Sequence, residues 1–185
     1  MDPRPLTGEP VSMDLLNTVW VDGGQQFDLL DTVAGLRLWI TGQAGIDAPP
    51  AGATTDAARR RLVTSREVLR DVVQAQLGGR VHAEAQAQLN ELLARGRLVR
   101  RLGAAGPELT PEVDDPVDLL PWLAADDYLR LLEQDPARIR ACAHPDCVLH
   151  FYDASRKANR RWCSMAGCGN RAKAARHYAR SKGSS

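Results

Sequence analysis

A chain of 185 residues, 44% hydrophobic and 25% charged, can bury one ordinary core and carry a small appendage besides. No apolar run approaches the roughly 18 residues of a membrane-spanning helix, which excludes that class and predicts a soluble, cytoplasmic protein. The formal net charge of +1 hides strong polarity: residues 138–185 hold eleven Lys/Arg against two acids, a net of +9, while residues 1–137 hold thirteen against twenty-one, a net of −8.

The opening MDPRPLTGEP is rich in Pro and Gly and predicts an extended, frayed lead-in. Val11 to Val21 is an apolar run interrupted by Asp14, Asn17 and Thr18, compatible with strand or helix. Burying such groups without partners costs about 1–3 kcal/mol each, so they are candidates for a buried hydrogen-bond cluster, the blander expectation being that they cap a helix or fix a turn. Trp20 and Trp39 read first as core aromatics. If the N-terminal region binds a small effector, Asp14, Asn17, Thr18, Trp20 and Trp39 are the candidate pocket.

Asp31 to Gln43 reads as a helix, with Leu36, Trp39 and Ile40 at spacings of three and four, and residues 42–53 as a Gly- and Pro-rich loop. Thr54-Thr55-Asp56 starts the longest helix, striped by Leu62, Leu69, Val73 and Leu77 and ended by Gly78-Gly79. Arg59-Arg60-Arg61 on its first turns is either a second basic contact or a solvated triplet. A third helix, Val81 to Ala94, returns antiparallel with Val81, Ala85, Leu89 and Leu92 on one side. Leu98–Leu102 and Leu109–Val113 predict a small β-hairpin. Asp114, Asp115 and Asp118 lead into a helix to about Glu133 with Leu119, Trp122, Leu123, Leu129 and Leu132 on its buried face. Asp135-Pro136 marks the boundary between a domain of residues 1–136 and one of residues 137–185.

All four cysteines lie in the second domain, as two C-x4-C pairs, Cys142/Cys147 and Cys163/Cys168, with fifteen residues between the pairs. Each pair suits a knuckle that points two sulfurs at one ion, and two knuckles complete the tetrahedron of a closed structural zinc site. Disulfides are disfavoured because no run resembles a secretory signal and a reducing cytosol leaves thiols free for metal. Four thiolates leave His144 and His150 as surface or supporting groups. Val148 to Tyr152 has strand character, and the return through Arg160 to Trp162 is expected to pair with it. Knuckle, hairpin, knuckle and helix resemble a treble clef, with Phe151, Trp162 and Tyr178 as its few packing residues and metal supplying much of its folding free energy. The fold class is therefore mainly α: a helical N-terminal domain with a small β-hairpin, followed by a small treble-clef-like zinc finger.

A basic, metal-held module is the footprint of a nucleic-acid binder. If the last helix begins near Cys168, Asn170, Lys173, Arg176, His177 and Arg180 share one polar face. Ala172, Ala175, Tyr178 and Ala179 then turn toward the zinc core, with Arg171 among them and Asp153 as its expected partner. Lys173, Arg176 and Arg180, with Arg156, Lys157, Arg160 and Arg161 from the hairpin loop, are the candidate nucleic-acid contacts. No Ser-His-Asp, Gly-rich phosphate loop or H-E-x-x-H arrangement is present, and no enzymatic activity is expected.

Arg160-Arg161-Trp162-Cys163-Ser164-Met165, then Cys168-Gly169-Asn170-Arg171-Ala172-Lys173, resembles the CGNR zinc finger at the C-terminus of bacterial transcription regulators, and Asp153-Ala154-Ser155 fits that family's Asp-x-Ser step. Met13-Asp14-Leu15-Leu16-Asn17-Thr18 is similar to the Leu-Asp-Leu-x-Asn-Thr opening of the ABATE domain that accompanies this finger. The resemblance implies a regulator whose finger binds double-stranded DNA and whose N-terminal domain senses an effector or forms a homodimer. An RNA-binding zinc protein and a protein-interaction module are the alternatives, since positive charge does not tell DNA from RNA.

Overall fold

The interrupted apolar run at the start splits into two elements, α1 (Val11–Leu16) and β1 (Val19–Asp22), the latter paired antiparallel with β2 (Gln25–Asp28). Gly23 and Gly24, at φ 56° and 81°, supply the left-handed backbone that a two-residue hairpin turn requires. The computed structural model describes residues 1–43 and 52–182, with side chains as far as residue 176. Most of the expected 42–53 loop, and the side chains of His177, Tyr178 and Arg180, lie outside the described residues.

Three caps then set the helices. Thr32 Oγ1 accepts from the Gly35 N–H at the start of α2 (Val33–Thr41), and Thr55 does the same for Ala58 in α3 (Asp56–Leu77). His82 caps α4 (Ala83–Leu93), which leaves Val81 outside the helix and 75% exposed. Gly35 is required by close approach, because a Cβ there would lie 1.7 Å from the Leu29 carbonyl oxygen. The predicted hairpin is present and longer than expected, β3 (Gly96–Gly103) with β4 (Gly106–Val113), and α5 (Leu119–Gln134) follows. The chain closes with β5 (Ile139–Ala141), β6 (His150–Tyr152) and α6 (Asn170–Lys182).

The buried face of α5 differs from expectation. Leu120, Trp122, Ala124, Ala125, Tyr128 and Leu131 are buried, whereas Leu129 is 37% exposed and Leu119, Leu123 and Leu132 are half-buried. The first five positions, Leu119 to Leu123, are all apolar, so leucine positions alone do not define the phase of the helix. The lead-in is not frayed either: Arg4 is buried, and Asp14 accepts from Arg4 Nη1 at 2.6 Å and from the Gly8 N–H at 3.1 Å. Asp127 of α5 reaches back to α1 and accepts from the Ser12 N–H at 2.9 Å, capping a helix whose preceding residue is Pro10.

One hydrophobic cluster runs from α1, α2, α3 and α5 through Ile139, Leu149 and Phe151 to Cys142, Cys163 and Cys168. The cysteine-bearing end is thus packed on the helical body through a common core.

Candidate metal centre and basic surface

β5 leads into Cys142, whose N–H donates to the Leu149 carbonyl at 2.9 Å, while the Cys147 N–H donates to the His144 carbonyl at 3.0 Å. These bonds fold the first knuckle. In the second, Cys163 precedes and Cys168 lies within a π-helical turn, Met165–Gly169, whose first N–H groups are met by Ser164 Oγ accepting from Gly167 at 3.0 Å. The four sulfurs lie within 4.8 Å of one another, with Cys147 to Cys163 at 3.9 Å and Cys163 to Cys168 at 3.5 Å. A tetrahedral zinc with Zn–S bonds of about 2.3 Å needs sulfurs about 3.8 Å apart. No disulfide joins them. The adjacent Cys147 sulfur and burial push the Cys163 thiol up, and burial pushes Cys142 up. A cation among the sulfurs would favour the thiolate forms of Cys142 and Cys163 against this burial, and the set fits one structural zinc held by Cys142, Cys147, Cys163 and Cys168.

Of the CGNR residues, Asn170 and Arg171 make local contacts, whereas a Cβ at Gly169 would meet only the flexible, exposed end of Met165 at close range. Asn170 Nδ2 donates to the Ala166 carbonyl at 3.3 Å. Arg171 Nη2 lies 3.1 Å from Cys168 Sγ, which accepts its hydrogen bond, and this contact raises the already high guanidinium pKa. The expected partner of Arg171, Asp153, is engaged elsewhere. Asp153 is fully buried, accepts from the N–H groups of Ser155 at 3.0 Å and Arg160 at 2.8 Å, and lies 3.6 Å from Arg140. Burial alone would raise its carboxyl, but these contacts hold it below the usual range.

The strand pairing of the finger also needs correction. β6 pairs with β5, not with the 160–162 return, in the register Ile139↔Tyr152, Arg140↔Phe151 and Ala141↔His150. The return segment runs beside the other side of the first knuckle: the Ala143 N–H donates to the Arg161 carbonyl at 2.9 Å, and Arg140 donates to the carbonyls of Ala158 at 2.7 Å and Arg160 at 3.2 Å. With only three residues per strand, the hairpin relies on these arginine struts as well as on the metal.

The basic residues therefore divide into two groups. Arg138, Arg140 and Arg160 stitch the finger together. Arg160, expected at a phosphate, instead pairs with Glu9 at 2.9 Å, donates to the Trp162 carbonyl at 3.1 Å and stacks 4.1 Å over Phe151. Arg156, Lys157, Arg161, Lys173 and Arg176 are exposed, Arg161 stacking 5.2 Å from the Trp162 ring and Arg176 Nε donating to the Ala172 carbonyl at 3.2 Å. A groove of about 550 Å³ runs past Ser155, Asn159, Arg161, Trp162 and Met165. In α6, Ala175 is exposed and Ala172 only half-buried, so the expected inward turn of these alanines is not seen: the helix projects from the zinc end. Arg180 lies outside the residues with described side chains. The Arg59-Arg60-Arg61 triplet is occupied at the surface, with Arg59 and Arg60 on Asp56 and Arg61 on Asp118.

The residues considered for an effector pocket are not gathered around one cavity. Asp14, Asn17, Thr18 and Trp39 are at most 1% exposed, with their polar groups spent internally. Trp39 Nε1 and Gln43 Nε2 join Arg4 on Asp14, at 2.9 and 3.0 Å. Thr18 accepts from Arg66, a buried arginine that also grips both Asp28 oxygens at 2.7 Å. Trp20 alone of the five is near open space, stacked on Phe27 at 5.4 Å and lining a cavity of about 290 Å³ with Pro3, Leu149 and Arg171.

Asn17 carries a role that sequence spacing did not reveal. Its Nδ2 donates to the His150 carbonyl and its Oδ1 accepts from the His150 N–H, both at 2.8 Å, so the side-chain amide pairs with β6 as a neighbouring strand would. Glu9 adds a second tie, accepting from the Tyr152 N–H at 3.1 Å. The Asn-Thr pair in the opening motif was the only signal, and nothing local says that its partner lies 133 residues away. His150 itself is 3% exposed, and burial, then the charge of Arg70, lowers its pKa to about 4.

Two family models match the chain. ABATE, described as "Putative stress-induced transcription regulator", covers residues 9–135, and the CGNR zinc finger covers residues 138–181. No curated protein matches the sequence. Among the described residues, no helix is long and apolar enough to cross a membrane.

Proposed function

The chain belongs to the ABATE family and ends in a CGNR zinc finger, and from this premise we propose that it regulates transcription by contacting duplex DNA through the exposed cations of the finger. The observation that carries this reading is the division of the basic residues: after the struts are set aside, Arg156, Lys157, Arg161, Lys173 and Arg176 remain exposed on a metal-held scaffold. The loop cations would engage phosphates beside the groove at Trp162, and α6 would present Lys173 and Arg176 from a start fixed by Cys168. The helical body, with its net negative charge, would be held away from the DNA and serve for association or effector sensing.

Competition between duplex DNA and structured RNA, titrated on the zinc-loaded chain at two salt concentrations, tests this. Duplex DNA should win, and log K should fall with log salt by about 0.9 per phosphate contact. Preference for the RNA, or affinity indifferent to salt, would overturn it.

A further inference from the structure

A cleft between the helical body and the finger has the features of a second site. One wall comes from β1, β2 and α3, which contribute Val19, Gln26, Arg70 and Gln74; the other comes from Ala141 at the end of β5, Cys147 and Val148 of the first knuckle, and His150 at the start of β6. The volume is about 350 Å³, within the range of small-molecule sites. His150 is 3% exposed, yet neither of its ring nitrogens makes a well-formed hydrogen bond, the Val148 backbone giving the ring only a contact short of that geometry. Its backbone, by contrast, is satisfied on both sides by Asn17. Buried polar atoms are seldom left unmatched, and one that lines a polar cavity marks where a ligand atom completes the set.

The surrounding groups define the ligand's chemistry. Arg70 donates from Nη1 to Glu67, and a guanidinium carries further donors suited to a carboxylate. An imidazole offers a donor and an acceptor, which suits a hydroxyl, and the carboxamides of Gln26 and Gln74 add adaptable contacts. Val19 and Val148 give the cleft an apolar side. We propose that this cleft binds a small carboxylate bearing a neighbouring hydroxyl on an apolar body, the carboxylate meeting Arg70 and the hydroxyl meeting His150. The proposal goes beyond the reading of the finger as a DNA contact and is tested without nucleic acid, so either stands if the other fails.

Salicylate is the probe and salicylamide its neutral counterpart, each titrated into the zinc-loaded full chain. The histidine ring signals are followed by NMR, with His150→Gln identifying the His150 signal. Salicylate should shift that signal saturably and raise Tm with concentration. Salicylamide, and salicylate on Arg70→Gln, should bind at least about tenfold more weakly. Gln74 is exposed, so Gln74→Leu should fold normally and weaken binding too, and it serves should Arg70→Gln fail to fold. The proposal is overturned if the His150 signal does not saturate, if salicylamide binds as tightly as salicylate, or if both variants bind like the parent.

Discussion

Replacing Asn17 by alanine should loosen the finger from the body. The change strips the partners from the His150 N–H and carbonyl, both paired at 2.8 Å, at a residue that is itself fully buried. A buried backbone group left unsatisfied costs about 1–3 kcal/mol, so Asn17→Ala should cost about 2–4 kcal/mol, allowing for partial access of water to the gap. Asn17→Asp separates pairing from shape. It keeps an acceptor for the His150 N–H but sets a carboxylate oxygen against the His150 carbonyl, and should destabilise at least as much at neutral pH. Urea unfolding of the zinc-loaded protein, followed by tryptophan fluorescence, measures the loss, and the rate of zinc transfer to a chromophoric chelator reports whether the finger has loosened. A loss below about 0.5 kcal/mol for Asn17→Ala, with Asn17→Asp neutral, would refute the docking argument.

Other outcomes follow from the same geometry. The purified protein should carry one zinc, and Cys→Ser at any of positions 142, 147, 163 and 168 should abolish stoichiometric binding and destabilise the body as well, because three of the sulfurs belong to the common core; zinc retained by all four variants would sink the assignment. Stability should fall on acidification because His150, lowered to about 4 from 6.5, binds its proton less readily folded than unfolded. Its contribution is present above pH 6.5 and is lost as the pH falls toward 4; between pH 7.5 and 5.5 this amounts to about 1 kcal/mol, and His150→Gln should flatten the profile by that amount. Arg171→Ala should weaken zinc retention about 10–100-fold through loss of the Cys168 contact. Arg161→Ala should leave Tm unchanged and lower the salt slope of DNA binding by about 0.9; the opposite pattern in this pair would reverse the two roles.

Much of this was legible in the sequence where the signal is local. Thr55 before the α3 stripe, Gly78-Gly79 after it and the two C-x4-C pairs each act within a few residues, and the structure places them as read. What escaped was long-range or degenerate. The face of α5 was misphased because its leucines, Leu119, Leu120, Leu123, Leu129, Leu131 and Leu132, lie all round the helix, and the small buried Ala124 and Ala125 carry little signal. Charge alone could not separate Arg160 from Arg161, neighbours in sequence that differ because the Arg160 guanidinium meets Glu9 and Phe151. The return strand was mispaired because β5 supplies only three residues, too few for a periodic signal.

The polar residues of the opening motif change meaning once their partners are known. Asp14, Asn17 and Thr18 lie in one short stretch, yet each faces a different part of the molecule. Asp14 gathers the N-terminal segment and α2 through Arg4, Trp39 and Gln43; Thr18 receives α3 through Arg66; Asn17 receives β6. α1 is only six residues long and too short to be stable by itself, so its conformation depends on these outside contacts. The dependence runs both ways, since β6 is equally short and borrows Asn17 as a substitute for a third strand. The metal fixes the second knuckle and the start of α6, while Asn17 and Glu9 fix the first hairpin on the body. The direction in which the exposed cations point is therefore set jointly by zinc and by α1, and a perturbation of either should be felt at both.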